Sequence, residues 1–560
     1  MDLRNRRARG PAPSLLAAAL AATLLVAGCS PVQPRQAVED RPDVTDVLAD
    51  GAELQQGGEL AMGLSAEPDV LDPTTSSSLY TRYVMNTICE KLYDIDADNE
   101  IVPQLAADLP TVRRGGREVE IPLRDGIRFA DGEDFDAAAV QQTLERHLTK
   151  DDSARSGEMG PVTDISTPDD RTVVLSYDEP FAPITASLAD RAGMIMSPAA
   201  LDELGDDFGQ SPVCVGPFTF VERVPQTSIT VEKDPLYYDA DEVMLDEITY
   251  RIITDANIRA ANLRAGEVQV IDTVSPQDIS YLRRDDSLGT LQVGSLGYQG
   301  VTFNLGNTDG VGQPPGEIDT PLAQDPRLRQ AFELSIDREA LVNSVFNNEA
   351  TPACSAISPD TPYATDASNA CPEHDPEESL RLLEEAGVET PVEIEMTVSN
   401  TPDTLRLAQA LQAMVREGGF DIEIAPVEYS TLLDQQDRGD FEALQLGWSG
   451  RIDPHGNLFG FVVSEQPDNV AGYSDPQVDE LMTRAAQEEG TARRARTYGE
   501  AIDVLREDLP IVYLYRVTSL TAYSREVTNI STYADGVVRL GRAAYLADPD
   551  DVADAAGEGE

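Results

Sequence analysis

The residues that could do chemistry in this 560-residue chain are few and scattered. Its three histidines, His147, His374 and His455, lie far apart, and no closely spaced set of zinc ligands occurs. The sequence lacks the motifs of a phosphate-binding loop, a zinc protease, a hydrolase nucleophile elbow and a dinucleotide-binding turn. Asp453 beside His455 would suit a catalytic base and its orienting acid, but no nucleophile in a suitable context accompanies them. We therefore expect a binding protein without a metal or cofactor, not an enzyme.

Acidic residues dominate the charge of the chain. It has 100 Asp and Glu against 42 Lys and Arg, for a formal net charge of −58. Carboxylate pairs are expected by chance at this density, so an exported hydrolase is only a distant alternative. A chain this acidic repels phosphate backbones, which excludes nucleic acid as a partner. Repulsion among these acidic side chains is relieved by salt, which favours a salt-tolerant source organism. The alternative explanation of the composition is a GC-rich genome, which favours Arg over Lys, together with a generally acidic set of secreted proteins.

The first residues are typical of an export signal. Four arginines among the first nine residues precede an apolar run over residues 15–28, which is too short to span a bilayer comfortably. Small residues then stand directly before Cys29, as in the lipobox of bacterial lipoproteins. We interpret residues 1–28 as a lipoprotein signal peptide and Cys29 as the lipidated residue that anchors the protein to the outer face of the cytoplasmic membrane. The alternative is an ordinary signal peptide cut at Ala27 or Gly28.

Polar segments border the body of the chain at both ends. Residues 29–56 are rich in Pro, Gln, Asp and Gly, which predicts a flexible tether. Residues 548–560 form an acidic segment that we expect to be disordered. No segment after the leader is apolar and long enough to be transmembrane.

The remaining cysteines predict two disulfide bonds. Four are left after Cys29, and an even number outside the cytoplasm favours pairing. Cys354 and Cys371 flank a loop rich in Pro, Ser and Asp, and closing it would contribute roughly 3 kcal/mol. By elimination, Cys89 and Cys214 are then expected to form the second disulfide bond.

Hydrophobic periodicity predicts an α/β protein. Residues 392–398 alternate like a strand, residues 407–415 follow helical spacing, and residues 420–424 alternate again. This pattern predicts a β-α-β unit with parallel strands. Residues 119–129 and 171–180 are expected strands on either side of a helix over 136–148. Asp375-Pro376 and Asp325-Pro326 each predict a helix start.

The order of several motifs resembles one family, the bacterial extracellular solute-binding proteins of family 5, which serve ABC importers of oligopeptides and dipeptides. The motifs include "LRDGIRFADG", "CVGPFTF", "LRAGEVQVID", "DPRLRQAFELSIDREALV" and "LQLGWSGRIDPHGN". They lie in order along most of residues 60–520. The chain departs from the family pattern at Leu109, where Trp is common, at Cys214, where Gly is common, and at Arg451, where peptide binders often carry Asp.

The resemblance implies an α/β fold of two lobes, the large form of the type II periplasmic binding protein, closing over its ligand about a two-segment hinge. It places the first lobe at 57–300 plus 506–547, with an extra subdomain at about 90–188, and the second lobe at 301–505. The hinge strands are then expected near residues 298–303 and 510–515. Independently of the resemblance, "LQLGW" is predicted to be a strand end followed by a loop, where α/β proteins bind ligands.

The resemblance also implies a ligand site around the single tryptophan. In the family this segment runs along the bound ligand, often with an Asp three residues after the Trp that holds the peptide ammonium. Arg451 stands at that position here, and an arginine fork suits a carboxylate instead. The alternative is that Arg451 forms a salt bridge within its own lobe, to Asp453 or another acid. The expected ligand-binding residues are Trp448, Ser449, Arg451, Asp453, Ser78, Tyr80, Gln299 and Asn304.

The function that this resemblance implies is that of a lipid-anchored, monomeric receptor. It would capture a peptide or peptide-like solute and pass it to the permease subunits of an ABC transporter. One alternative is a same-fold receptor for a non-peptide carboxylate-bearing solute such as an opine or a glutathione-like compound. Another is a sensor that reports its ligand to a membrane partner.

Overall fold

A computed structural model describes residues 43–49, 51–359 and 361–547. The predicted leader, Cys29 with its predicted lipidation, and the acidic segment 548–560 lie outside the described residues. Within the described part of the chain, no helix is both long and apolar enough to cross a membrane.

The secondary structure alternates strands and helices along the chain. The strands are β1 Asp46–Val47, β2 Glu59–Leu64, β3 Tyr93–Ile95, β4 Ile101–Pro103, β5 Thr111–Arg113, β6 Glu118–Pro122, β7 Val162–Asp169, β8 Thr172–Tyr177, β9 Phe218–Val224, β10 Ser228–Lys233, β11 Glu247–Ile252, β12 Val270–Ile271, β13 Leu288–Gly294, β14 Tyr298–Phe303, β15 Ala350–Pro352, β16 Val392–Ser399, β17 Phe420–Val427, β18 Ala443–Trp448, β19 Ile511–Ser524, β20 Val527–Thr528, β21 Ile530–Thr532, β22 Val538–Arg539 and β23 Ala544–Tyr545. The helices are α1 Leu79–Ile88, α2 Ala137–Thr149, α3 Ser156–Met159, α4 Ile184–Ser187, α5 Pro198–Leu204, α6 Ala256–Arg264, α7 Ile279–Leu282, α8 Pro321–Gln324, α9 Pro326–Leu334, α10 Arg338–Phe346, α11 Asp366–Asn369, α12 Pro376–Ala386, α13 Pro402–Val415, α14 Tyr429–Arg438, α15 His455–Val462, α16 Pro476–Gln487 and α17 Thr491–Asp508.

One mixed sheet passes through both lobes. Its strand order is β17-β16-β18-β14-β19-β12-β2-β11-β10-β9, and β13 and β15 also pair with β19. The α/β fold class expected from the sequence is therefore confirmed. Strands β2, β11 and β12 run parallel, so their carboxyl ends meet at one edge. That edge faces the boundary between the lobes and is where an α/β sheet offers a binding site.

The predicted β-α-β unit is present in the second lobe. Strands β16 and β17 pair in parallel, with Val392 opposite Phe420, and helix α13 connects them. Thr401 caps this helix by accepting from the backbone N–H of Thr404, and Pro402 follows at its first turn. Phe332 packs edge-on against both Phe303 and Phe420, so the helices and the sheet share one core.

Strands β14 and β19 lie where the lobes join. The first residues of β19 pair with β14 as far as Tyr515, and Thr518 to Ser524 pair with β13. Residues 509–515 pack in the cores of the second lobe, beside Phe303 and Tyr498. The lobe boundary at residue 506 stays a prediction. Helix α17 runs on to Asp508 and packs against α16, which periodicity alone did not indicate.

A separate four-stranded sheet of order β5-β6-β8-β7 lies within the expected subdomain 90–188, and helix α2 packs against β7 and β8. The strand predicted over 119–129 is shorter than expected and ends at Pro122. A turn follows because Gly126 adopts a positive φ of 75°.

The segment expected to be a flexible tether is partly built into the body. Asp46 and Val47 form β1, which pairs with β21, and Val44 forms a bridge with Gln292. The tether prediction is therefore wrong for residues 43–49. Polar composition indicated flexibility, but a short segment can satisfy its backbone groups on a strand distant in sequence.

Both expected cysteine pairs are joined in the structure. Cys89 bonds Cys214 with a Cα–Cα distance of 4.9 Å, and Cys354 bonds Cys371 with a distance of 5.2 Å. The first bond ties the end of α1 to the segment before β9. The second closes the loop that follows β15.

Candidate functional site

A cavity of about 270 Å³ lies between the lobes beside β14 and β19. Residues from both lobes line it. Its aromatic and aliphatic lining includes Leu79, Tyr80, Tyr83, Phe346, Leu407, Tyr429, Leu446 and Tyr515. Its polar lining includes Ser65, Arg259, Gln299, Glu349, Asp403 and Gln445. A mostly apolar cleft with a few polar groups is the usual form of a small-molecule site.

The first-lobe wall stands at the carboxyl ends of the parallel strands. Ser65 follows β2 and donates to Asp272 Oδ2, which follows β12, at 2.7 Å. Ser65 Oγ also lies 3.0 Å from the hydroxyl oxygen of Tyr80. Burial raises the pKa of Asp272, and Arg259 Nε at 3.7 Å opposes that rise. This chain of polar groups fixes the position of Tyr80 at the cavity.

The second-lobe wall carries aromatic and amide groups. The ring of Tyr429 meets that of Tyr80 edge-on at 5.5 Å, so these two rings touch across the lobes. Gln445 Nε2 donates to Gln299 Oε1 at 3.2 Å, which leaves other hydrogen-bonding groups of both amides for a solute. Burial raises the pKa of Tyr80 to about 12, so its phenol stays neutral and can donate a hydrogen bond.

Polar contacts join the lobes around this cavity. Ser275 donates to Asp403 Oδ1 at 3.1 Å, and Arg283 forms an ion pair with Glu349 at 3.1 Å. Gln277 donates to the carbonyl of Val345 at 3.0 Å. The lobes are therefore in contact, as expected for a closed form of a two-lobed binding protein.

Arg451 pairs with a carboxylate of the first lobe. Its Nε lies 2.5 Å from Asp190 Oδ2, and both side chains are buried. Arg82 Nε donates to the other oxygen of Asp190 at 3.0 Å. Burial opposes ionisation of Asp190, but Arg451 and Arg82 outweigh it and hold its pKa well below the usual range. Burial lowers the pKa of Arg451 to about 10, so it remains charged at neutral pH.

Asp453, considered above as a partner of Arg451, is engaged elsewhere. Its two oxygens accept from Arg494 Nη1 and Nη2 at 2.6 and 2.7 Å, a bidentate pair buried inside the second lobe. Its Oδ1 also accepts from the backbone N–H of His455 at 2.9 Å. The suggested pair Arg451–Asp453 is thus corrected to Arg451–Asp190 and Arg494–Asp453. Asp453 organises the loop and does not line the cavity.

Trp448 ends β18 and lies beside the cavity lining rather than within it. Its indole donates to Asn457 Oδ1 at 3.1 Å, and the guanidinium carbon of Arg451 lies 4.2 Å from its ring centre. The backbone at Gly297 passes close to the carbonyl of Trp448. Only glycine allows this approach, because any side chain at position 297 would collide with that carbonyl. The tryptophan ring therefore packs against the arginine that makes the contact between the lobes.

The other expected residues divide into three groups. Tyr80 and Gln299 line the cavity. Ser449 Oγ accepts from Arg82 and Arg451, each at 3.3 Å, and so belongs to the lobe contact. Ser78 caps α1 and is buried. Asn304 donates to the backbone carbonyls of residues 307, 439 and 441, a structural role.

Sequence reasoning missed Asp190, Asp403, Tyr429 and Gln445. Asp403 had a usable signal, since it follows a predicted strand and stands at the start of the next helix, where sheet sites form. Asp190 had none, because many acids in this chain are equally plausible partners for an arginine.

Comparisons with known proteins agree with this architecture. The sequence model described as "Bacterial extracellular solute-binding proteins, family 5 Middle" matches residues 100–469. A glutathione-binding protein of Pectobacterium atrosepticum is 27% identical over 477 residues, which is 83% of this chain and 90% of that protein. A glutathione-binding protein of Salmonella paratyphi A is 28% identical over 471 residues, covering 82% of this chain and 89% of that protein.

Solved structures are similar over nearly their whole length. A periplasmic binding protein from A. tumefaciens R10 in complex with agropinic acid has a TM-score of 0.78 and 25% identity, covering 88% of this chain and 99% of that one. The oligopeptide-binding protein of Bacillus subtilis in complex with a nonapeptide has a TM-score of 0.80 and 21% identity, covering 89% of this chain and all of its own (100%). The second likeness bears on the fold alone.

Proposed function

Because this chain belongs to family 5 of the bacterial extracellular solute-binding proteins, we propose that it captures a peptide or peptide-like solute between its lobes and delivers it to the permease of an ABC importer. The observation that carries the proposal is the cavity lined by both lobes, with neutral tyrosines and two glutamines on its walls. Such walls suit a solute with an apolar body and several amide groups.

A thermal-shift measurement tests this function. A solute that binds only the folded protein raises the melting temperature in proportion to ln(1 + [L]/Kd). We expect short peptides to raise it, and to change the fluorescence of Trp448, the one tryptophan in the chain. Native mass spectrometry of the purified protein would identify a solute carried through purification. Absence of any shift with a broad peptide mixture would contradict the proposal.

A second candidate solute is a carboxylate-bearing compound such as an opine or a glutathione-like compound. The relatives named above bind glutathione and agropinic acid, both of which carry carboxylates. Arg451 is the arginine that the sequence offered for such a group, but Asp190 occupies it in this closed form. A thermal shift with glutathione or an opine, and none with ordinary α-linked peptides, would favour this candidate.

We also propose that the protein is anchored through Cys29 and acts as a monomer on the outer face of the cytoplasmic membrane. The support is the leader sequence and the small residues before Cys29. Replacing Cys29 by Ala should release the protein from the membrane fraction. Unchanged membrane association in that variant would contradict lipidation at this residue.

A further inference from the structure

The cavity wall beside the strands that join the lobes carries a pair of glutamines. Gln299 lies on β14 and Gln445 on β18, and both line the cavity. The strands pair antiparallel with Gln299 opposite Gly447, two residues beyond Gln445. Gln445 is buried, and its Nε2 donates to Gln299 Oε1 at 3.2 Å. The pair therefore forms one neutral polar surface that spans two neighbouring strands.

Gly447 makes room for this pair. A Cβ atom at position 447 would stand 2.4 Å from Gln299 Nε2 and 2.5 Å from its Cδ, so the amide of Gln299 lies directly over the glycine. Because no side chain intervenes, this amide reaches across β18 to Gln445, its diagonal neighbour. The glycine thus positions Gln299 against Gln445.

The mutual hydrogen bond leaves both amides incompletely used. Gln445 Oε1 and Gln299 Nε2 have no hydrogen-bond partner among the described residues. Either orientation of the two amides that keeps their mutual bond leaves one carbonyl oxygen and one NH2 group outside it. Ser399 Oγ, buried at the end of β16 and also in the cavity lining, lacks a partner within the described part of the chain. Buried polar groups without partners cost free energy, which a solute recovers by pairing with them.

The charged side chains of the lining, in contrast, are already paired. Arg259 donates to three backbone carbonyls at 2.7 to 3.1 Å. Glu349 forms its ion pair with Arg283, and Asp403 forms one with Arg406 at 2.6 Å. The four tyrosines of the lining are neutral at physiological pH, because burial raises the pKa of each. The hydrogen-bonding capacity left at the glutamine pair is therefore neutral.

A carboxamide is the chemical group that fits one open carbonyl and one open NH2 group. It donates from its own NH2 group to the carbonyl and accepts at its own oxygen from the NH2 group of the pair. A carboxylate only accepts, so it would leave the carbonyl of the pair without a donor. An aliphatic or thioether side chain of the same size would leave both groups unpaired. Sites built to hydrogen-bond a polar group of a substrate reject analogues that lack that group.

We propose that the pair Gln299–Gln445 selects a solute that carries a carboxamide, as the side chains of glutamine and asparagine do. The inference rests on the function proposed above and specifies it: the captured peptide bears a neutral amide side chain, and the acidic side chain of the same shape is rejected. Gln299 and Gln445 are then specificity-determining residues of the cavity, and Gly447 is a positioning residue.

The test compares three sets of peptides on the full chain. Equimolar mixtures of di- to pentapeptides of Gly, Ala and Leu carry in each peptide one glutamine, one glutamate or one methionine, placed at every position in turn. Glutamate exchanges the NH2 group for an oxygen, and methionine has a similar length without a strong hydrogen-bonding group. Isothermal titration calorimetry gives the apparent affinity of each mixture. We expect the glutamine mixture to bind at least about tenfold more tightly than either of the other two.

The outcomes separate the inference from the receptor function. A glutamine mixture that binds no more tightly than the methionine mixture, or than the glutamate mixture, would overturn the inference and leave the receptor function standing. The methionine mixture is needed because a protein of net charge −58 repels an anionic peptide wherever that peptide binds. If none of the three mixtures binds, the proposed peptide-receptor function fails, and the inference fails with it.

Variants then identify the residues. Gln445→Met keeps the size of the side chain and removes its amide, so the preference for glutamine over methionine should fall below about threefold. Gln299→Met tests the same pair from the neighbouring strand and serves if Gln445→Met does not fold. Gln412→Met is the matched control, because Gln412 also bonds within the second lobe, to the carbonyl of Ile422 at 2.7 Å, but does not line the cavity. If the folded cavity variants keep the preference, or if the control loses it, the assignment to this pair is wrong.

Discussion

His455 is a buried histidine without a hydrogen-bond partner for either ring nitrogen among the described residues. Its ring stacks on Phe459 at 4.3 Å and meets Phe181 edge-on at 5.2 Å. Burial lowers its pKa to about 4. At the scale of single residues, this group makes the free energy of unfolding fall in acid, because His455 binds a proton more readily in the unfolded chain than in the folded protein.

We predict that His455→Phe stabilises the protein and flattens its pH dependence. A phenyl ring keeps the aromatic contacts and removes an unpaired polar group, which should raise the unfolding free energy by about 1 kcal/mol at pH 7. The folded pKa lies below the ordinary value of about 6.5, so the stability due to neutral His455 is complete above that pH and is lost as pH falls. Between pH 7 and pH 5 the wild type should lose about 2 kcal/mol more than the variant.

Urea denaturation at both pH values measures this difference. Because other groups titrate alike in both proteins, the comparison isolates His455. Parallel pH curves for the two proteins would mean that His455 takes up a proton as readily in the folded protein as in the unfolded chain.

Arg451 provides the second prediction at the residue scale. If Arg451 binds a carboxylate of the solute, Asp190 should not be needed for solute binding. The ion pair between the lobes predicts instead that Arg451→Ala and Asp190→Ala each weaken solute binding by about 2 kcal/mol or more, since each destabilises the closed form. A double-mutant cycle should then show strong coupling, with Arg438→Ala, which removes an exposed pair to Asp440, as the neutral control. Additive effects of the two substitutions would indicate that Arg451 contacts the solute directly. Unaltered binding in Arg451→Ala would indicate that Arg451 has only a structural role.

At the scale of elements, the two disulfides restrain segments of very different length. The bond Cys354–Cys371 spans 17 residues and Cys89–Cys214 spans 125. Chain entropy makes the longer closure more stabilising. Each bond also lies at the end of an element, the first after β15 and the second at the end of α1.

Replacing both cysteines of a pair by serine should lower the unfolding free energy. We expect a loss of about 3 kcal/mol for the pair Cys354 and Cys371, and of about 4 to 5 kcal/mol for Cys89 and Cys214. Urea denaturation of the two double variants checks the order. If the shorter loop proves the costlier to open, strain and residual structure outweigh chain entropy in this protein.

At the scale of the whole molecule, the net charge of −58 dominates. Counter-ions relieve the repulsion among surface carboxylates, and the screening length falls from about 10 Å at 0.1 M salt to about 3 Å at 1 M. Salt screens buried ion pairs such as Arg494–Asp453 much less than it screens exposed charges, so these pairs should keep most of their strength at high salt.

We therefore predict that the melting temperature rises by several degrees between 0.1 M and 1 M NaCl. Differential scanning calorimetry measures the shift, and sucrose at matched osmolarity controls for general exclusion effects. A melting temperature that stays flat with NaCl would favour an acidic secretome from a GC-rich genome over a salt-adapted protein.

The amino-acid sequence by itself determined the class of fold and several of its elements. Alternation in residues 392–398 and helical spacing in 407–415 reflect burial of one face, which is local along the chain, and the structure confirms this β-α-β unit. Asp325 and Asp375 likewise mark helix starts, because each side chain accepts a backbone N–H of the first turn and a proline follows it.

Only the tertiary structure decided which charges meet. Asp190 and Arg451 lie far apart in the chain, and nothing local distinguishes Asp190 from the other acids. The ordering of residues 43–49 was also hidden, because it depends on the distant strand β21. The same holds for the cavity, whose walls come from strand ends and helix starts of both lobes. Local patterns encode which face of an element is buried, whereas partners across a hinge are set by how the lobes close.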